Sequence, residues 1–522
     1  MGDDQSLSRR NALLALAAVP VAVALGATAL IGLRRKSGSR ITGAFVADGS
    51  ERGHALRDST VARATGTPKR VSVVVIGAGI SGLAAAWRLQ SRGVTDAVVL
   101  ELGDEAGGNA RWGENAVTRY PWGAHYLPVP SANASLVREI CGEFGLMTDG
   151  AWDERALVAA PQERLFMHGR WVPGIEPTDA LSPADRAQFT RFRDEIAQWR
   201  ATGGFAVPSV SARAAQRNDA RALDTQTMRA WMDARGLSAP LLRWFVEYGM
   251  RDDYGASLDS ASAWAGVHYF AGRDEEDGTL TWPEGNGWLV QRFLDRVGPL
   301  VRTRTPVLRV AREGSRWIVE TPGERYLADA VVAAIPSFVL SRVLDGVTLP
   351  PAPVERSPWL VANLTLDRAP DEGSFPLAWD NVILDSPSLG YVAAKHQSVQ
   401  MPDGQNVWTW YRAFHDLPVA AARRRLREQP WTGWRDEILA DLRRAHPDID
   451  ACVTRIDIQR YAHAMPRPVP GFLGASAALR DWTPGERFAF AHSDASGLSL
   501  CEESLERGVA AADAIASALG SA

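Results

Sequence analysis

The residues whose types and spacing most directly imply chemistry are glycines. Gly77-Ala78-Gly79-Ile80-Ser81-Gly82 follows the β-branched run Val71 to Ile76 and precedes an alanine-rich stretch from Leu83 to Leu89. The run reads as a buried parallel strand and the stretch as a helix, so the glycines occupy a strand–turn–helix. In such a turn Gly77 allows the tight reversal, Gly79 lets backbone approach a pyrophosphate, and Gly82 lets helix and strand pack closely. Phosphate oxygens would meet the unpaired N–H groups and positive dipole end of the helix, with Ser81 in its first turn. A second strand, Ala97 to Leu100, ends at Glu101, where a carboxylate accepts hydrogen bonds from adenosine ribose hydroxyls. A glutamate there disfavours a 2′-phosphate, which makes NADP a poor fit. The spacing predicts a dinucleotide site.

Six residues after Glu101 come Gly107 and Gly108, in Gly-Gly-Asn-Ala-Arg-Trp-Gly. With this turn the chain resembles the flavin-containing amine oxidase superfamily, which includes monoamine and polyamine oxidases, protoporphyrinogen oxidase and phytoene desaturases. The resemblance implies FAD as cofactor, with Gly107 and Gly108 passing beside its flavin end. The family's next residue is arginine; here it is Asn109, and Arg111 is the candidate to supply the positive charge. The segments 304–310, 317–320 and 328–336 look like the family's second FAD-domain stretch, and by resemblance the backbone of Val307 contacts adenine. Phe488 to Ala495 is similar to a strand ending in Ala-Gly-x-acid, which assigns Asp494 to the ribityl hydroxyls and puts His492 where the family has glycine. Glu502, Gly508 and the run Val509 to Ala518 resemble the final helix, whose N-terminal end faces the flavin pyrimidine in the family.

These motifs need an α/β framework to bring them together. The expectation is a Rossmann-type FAD-binding domain, a parallel sheet with helices, assembled from residues 69–125, 295–345 and 475–522, plus an α+β substrate domain from 126–294 and 346–474. Ser182-Pro183-Ala184-Asp185 starts an amphipathic helix that carries Phe189, Phe192, Ile196 and Trp199 on one face. Another helix is expected over Asp224 to Ala234. Strands are expected at 359–366, 390–394 and 406–414, the last with Trp408, Trp410 and Tyr411 alternating along it.

A flavin accepts a hydride equivalent, so the protein mainly has to hold a substrate C–H near it. His125, just after the first cofactor segment, is a candidate to poise a proton near neutral pH. Many amine oxidases of this superfamily carry a lysine, bridged by water to flavin N5, on a strand equivalent to Val361–Leu366; Asn363 is nearest that position here. Trp410 is the third catalytic candidate, on the strand expected to cover the flavin. Asp252 and Asp253 are adjacent and make a poor metal pair, and no metal is expected. Three readings follow: an amine oxidase-like FAD oxidoreductase of a small organic substrate, a desaturase or porphyrinogen-type enzyme on an apolar one, or a non-catalytic FAD-binding protein.

The 522 residues exceed one simple core, and 46% hydrophobic with 23% charged residues describes a globular protein. A net charge of −4 argues against a nucleic-acid partner. Three scattered cysteines give neither a disulfide framework nor a zinc pattern. Ser8-Arg9-Arg10 before the apolar run Ala12 to Leu33 looks like a twin-arginine signal over residues 1–36, which implies the twin-arginine export machinery as partner and a periplasmic location. The run also reaches membrane-spanning length, so an uncleaved anchor through residues 12–33 is equally a reading. Residues 37–68 read as a linker. Glu101→Ala is expected to purify with a much lower flavin content, because the ribose hydroxyls lose their acceptor; an unchanged absorbance ratio would refute the placement of the adenosine.

Overall fold

Val73, Val74 and Val75 are wholly buried, which requires apolar material on both faces of their strand. In the computed structural model, which describes residues 41–520 apart from 48, 59, 213–217, 274–277, 351–354, 372, 374 and 399–403, that strand is Lys69–Ile76. It pairs in parallel with Ala97–Leu100 on one side and Arg325–Ala333 on the other. Val301–Arg302 continues the parallel order beyond Ala97–Leu100, and Phe488–Phe490 lies parallel beside Arg325–Ala333. Arg316–Glu320 and Arg309–Glu313 add an antiparallel flank. The sheet therefore gathers strands from three distant stretches, as the motifs require.

The two faces of the central strand serve different layers. Val73 and Val75 pack with Leu83, Leu89, Val509 and Ile515 from the helices Ile80–Ser91 and Cys501–Leu519. Val74 and Ile76 pack with Val307, Trp317 and Val319 on the other side. The fingerprint helix, Ile80–Ser91, sits close on both neighbours: a Cβ at Gly82 would lie 1.9 Å from the Gly77 carbonyl oxygen, and one at Gly508 would lie 2.2 Å from that of Ser81.

The second half is built on an eight-stranded sheet whose central strand, Arg356–Leu366, runs antiparallel between Asn406–Ala413 and Val453–Pro466. Leu360, Ala362 and Leu364 face the helices Val419–Glu428 and Trp431–Leu442, whereas Trp359 and Val361 face the other way. A helical lobe completes this half. Its helix Pro183–Ala201 is capped as expected, the Ser182 hydroxyl accepting from Asp185 N at 3.1 Å. The helix expected from Asp224 instead begins at Met228, capped by the Thr227 hydroxyl. Asp224 is withdrawn from it because its buried carboxylate accepts from Ser262 Oγ at 2.7 Å and Leu473 N at 3.0 Å.

The linker expectation for residues 37–68 is corrected over its described part. Thr42–Phe45 is a strand, parallel to Val453–Pro466, and Ser50–Arg57 is a helix. An open sheet edge supplies main-chain partners whatever the side-chain composition, which is why the polar sequence concealed the strand. The signal or anchor expected at residues 1–36 lies outside the described residues. Among the described residues no helix is long and apolar enough to cross a membrane.

Two glycine substitutions separate packing from propensity. Gly508→Ala is expected to destabilise by about 1–3 kcal/mol, since a main-chain oxygen occupies the methyl's place. Gly474→Ala, in the helix Phe472–Arg480 with open space around the new methyl, is expected to stabilise by about 0.5–1 kcal/mol. Thermal unfolding at fixed cofactor concentration checks both; the same sign for the two would contradict the packing.

Candidate functional site

One cavity of about 460 Å³ lies between the two halves. The nucleotide half contributes Gly77, Gly79, Ser81, Glu101, Gly107 and Gly108 to its wall, with Val307 beside them. Two helices open their N-termini onto it. Gly79 caps Ile80–Ser91 and Leu500 caps Cys501–Leu519, each without a side-chain hydrogen bond, which leaves first-turn N–H groups for a ligand. A Cβ at Gly79 would meet nothing within 4 Å, so the backbone there fronts open space. Gly107 and Gly108 adopt φ of 120° and 57°, and their turn rests against Gly79. The Glu101 carboxylate accepts from Ala78 N at 2.8 Å and Gly103 N at 2.6 Å, which aims it along the groove. Bare helix ends, a Cβ-free approach and a fixed carboxylate at strand end make a donor and acceptor set that fits a dinucleotide such as FAD. Gly82 does not line the cavity; it serves the helix–strand contact predicted for it.

Two cofactor expectations are corrected. Asp494 is wholly buried one layer behind the wall, where His492 and Ser493 face the cavity. Its Oδ2 accepts from Ser337 N at 2.8 Å and Ser337 Oγ at 2.7 Å and pairs with Arg356, so this oxygen organises the wall, while Oδ1 is buried without a hydrogen-bond partner. Burial pushes the Asp494 carboxyl up, but His492, Arg356 and Ser337 together hold it well below the ordinary carboxylate range. Arg111 is turned away from the cavity: Nε donates to Gly108 O and Nη2 to Gln459 Oε1, both at 3.3 Å, tying the glycine turn to the second sheet.

The catalytic candidates divide. His125 lines the cavity, stacked on Tyr411 with ring centroids 4.7 Å apart. Burial pushes its ring down to about 4, so it is neutral through the physiological range and does not poise a proton near pH 7. Trp410 faces the opposite side of its strand, where Nε1 donates to Asp441 Oδ2 at 3.0 Å; its neighbour Tyr411 faces the cavity. Asn363 does not line the cavity either. Its Nδ2 donates to Pro121 O at 2.9 Å, and its Oδ1 accepts from Thr409 Oγ1 at 2.7 Å. The residues of that strand that reach the cavity are Arg356, Trp359 and Val361, and no described lysine does.

The sequence reading missed the far wall. Asp252, Asp253, Asp380, Tyr126, Tyr248 and Arg273 all face the cavity. Asp253 pairs with Arg273 at 2.6 Å, Tyr126 Oη donates to Asp252 at 3.2 Å, and Tyr248 Oη donates to Asp380 at 3.3 Å. Burial, then the charge of Asp253, pushes the Asp252 carboxyl from 3.8 up to about 7, against the pull of Arg273. Burial, then Glu163 and Asp252, pushes Asp380 well above its ordinary value. A signal existed: Asp252 and Asp253 end the helix Pro240–Tyr254, where the helix dipole disfavours anions. Such a local violation flags a site.

Asn363, Tyr411 and Tyr461 hydrogen-bond the successive carbonyls of Pro121, Gly123 and Trp122, so the second sheet clamps the loop that carries His125. Asn363→Ala is expected to cost about 2–4 kcal/mol, because Pro121 O and the Thr409 hydroxyl are left buried and unpaired. Trp410→Phe, which strips one donor from Asp441, is expected to lower stability while leaving the spectrum of bound flavin unchanged. Thermal unfolding and absorbance check the pair; a shifted flavin band in Trp410→Phe would return that residue to the site.

Residues 80–516 match the family model described as flavin containing amine oxidoreductase. Amine oxidase [flavin-containing] B of Homo sapiens is 25% identical over 303 residues, which cover 55% of this chain and 54% of that protein. The chain thus spans about half the length of the curated relatives it matches. Among solved structures, putrescine oxidase bound to putrescine aligns over 86% of this chain and 100% of its own, with a TM-score of 0.64 and 18% identity. Cyclohexylamine oxidase from Brevibacterium oxydans aligns over 86% and 99%, with a TM-score of 0.65 and 19% identity. These structural likenesses carry the fold, and FAD as cofactor agrees with the cavity's donor set. By the match over most of its length, the chain belongs to the flavin containing amine oxidoreductase family.

Proposed function

We propose that this protein is an FAD-dependent oxidoreductase of the amine oxidase-like type that oxidises a small organic amine. Bound FAD supplies the hydride acceptor, its N5. The observation that carries the reading is the wall where the aromatic rings of His125, Tyr411 and Trp359 meet the carboxylates of Asp252 and Asp380. Burial, then mutual repulsion, raises those carboxyls; an ammonium group offsets both, and aromatic faces receive a cation well. His125, neutral and stacked, serves as wall; Tyr126 and Tyr248 orient the acids through their hydroxyls. With no described lysine at the cavity, the electron acceptor is left open between oxygen and another oxidant.

The second reading, a desaturase or porphyrinogen-type enzyme, draws on the apolar strip of Val361, Leu389, Val392 and Met465 in the same cavity. The proposal also includes export: residues 1–36 act as a twin-arginine signal or a retained anchor, and place the folded, flavin-loaded protein in or facing the periplasm.

Anaerobic titration separates the readings. Amines are expected to bleach the bound flavin; bleaching by polyenes or porphyrinogens alone supports the second reading, and a spectrum that no organic substrate changes refutes both. The sign of the pH dependence follows from Asp252. A carboxyl raised from 3.8 to about 7 contributes stability at low pH and loses it as pH rises through about 7, because the folded state resists ionisation there. A cationic substrate prefers the ionised form, so kcat/KM for a reducing amine is expected to rise with pH through about 7. Asp252→Asn is expected to flatten that limb. A flat profile in the unaltered protein would count against the ammonium pairing.

A further inference from the structure

The segment ahead of the glycine fingerprint crosses from one half of the molecule to the other, over the nucleotide end of the cavity. It begins as the strand Thr42–Phe45, added to the second sheet in register Thr42 with Arg455 through Phe45 with Ile458. Val46 N then donates to Ile458 O at 2.9 Å, and the Arg460 guanidinium lies over the Phe45 ring at 4.0 Å. The helix Ser50–Arg57 follows and docks on the other half. Arg52 Nε donates to Leu102 O at 2.7 Å, and Arg52 Nη2 lies 2.9 Å from Asp104 Oδ2. Beyond the helix, Ala64 N donates to Thr321 O at 3.1 Å before the chain enters the fingerprint strand.

Leu56 is the telling residue. The helix SERGHALR buries none of its residues fully and is too short to hold together by itself. Yet Leu56 packs against the cluster that contains Val307, Leu340 and Val343, and it faces the cavity together with Glu101, Leu102 and Val307. Glu101 is the carboxylate placed for the adenosine ribose. An apolar side chain turned toward that end of the groove, on a helix pinned at Leu102 and Asp104, covers whatever lies there.

We propose that residues 42–57 form a strap over the adenosine end of bound FAD, with Leu56 as its contact and Arg52 as its latch, and that the strap slows cofactor release. The strap spans both halves, so cofactor exchange requires it to lift from the Glu101–Asp104 turn. Conversely, bound FAD stabilises the docked strap by filling the space beneath Leu56.

The test compares flavin release from the full-length holoprotein, followed as free-flavin fluorescence after dilution. The double variant Arg52→Ala/Leu56→Ala is expected to release FAD about tenfold faster or more, the scale of losing one apolar contact and one latch. Leu56→Met, which keeps the apolar volume, is expected to restore slow release within the Arg52 background of a matched single variant. Arg57→Ala, whose side chain pairs with neighbouring Asp58, is expected to change nothing. Release from the double variant at the parent's rate overturns the strap. Should that variant fail to fold, trypsin decides on the unaltered chain: FAD is expected to protect the bonds between residues 52 and 63 by about tenfold, matching the release effect, and equal cleavage with and without FAD overturns it. A parent chain that carries no flavin would sink the cofactor assignment itself, and the strap with it.

Discussion

The fingerprint helix can face the cavity only because two backbone segments come closer to it than side chains would allow. Gly82 lies against the Gly77 carbonyl, Gly508 lies against that of Ser81, and Gly79 presents bare backbone to open space. These contacts fix where the helix N-terminus points, and so where its unpaired N–H groups are delivered. Everything downstream in the cavity is arranged relative to that end. Glu101 is held by Ala78 N within the same turn, and the C-terminal helix, packed on the fingerprint helix through Gly508, brings a second bare N-terminus to the same space. A helix end costs little to leave uncapped when a polyanionic ligand meets it, and this architecture brings two such ends to one ligand.

What could be read from sequence was what local chemistry dictates. The Gly77 to Gly82 turn and the Ser182 cap do their work within a few residues, and Glu101 ends the strand beside that turn, so their places survive into the fold. Sheet faces were harder. Asn363 and Trp410 were chosen from strands identified correctly. Trp410 falls on the face away from the cavity, one residue from Tyr411, whereas Asn363 shares the face of Trp359 and Val361 but lies further along the strand, against Pro121, and nothing local fixes either choice. The deciding fact is tertiary: Trp408 and Trp410 belong to the layer under Trp434 and Leu442, which leaves Tyr411 and Val361 for the cavity. The motif located Asp494, but not its partners Ser337 and Arg356, which come from distant segments and engage one of its two oxygens. The strand at Thr42–Phe45 depends wholly on a distant partner and has no local signal.

The two walls of the cavity carry different charge patterns. The nucleotide wall sets the N–H donors of two helix ends beside the carboxylates of Glu101 and Glu502, while the far wall gathers Asp252, Asp253 and Asp380 around one close cation, Arg273. Burial raises these carboxyls, and like charges beside them add to the effect, so part of the far wall stays protonated where a surface carboxylate would be ionised. An arrangement that resists its own ionisation is costly to the empty protein.

That polarity also explains why the two halves need mechanical ties beyond the cofactor. The cavity is their common boundary, and each wall is complete only when something fills it. Asn363, Tyr411 and Tyr461 therefore reach across from the second sheet to the carbonyls of Pro121 to Gly123, and the segment from Thr42 to Arg57 crosses back in the other direction. Neutral hydrogen bonds to main-chain carbonyls suit this task, since they are indifferent to the protonation state of the acids they surround. These three ties do not titrate, and they hold the loop that carries His125 beside the charges of the far wall.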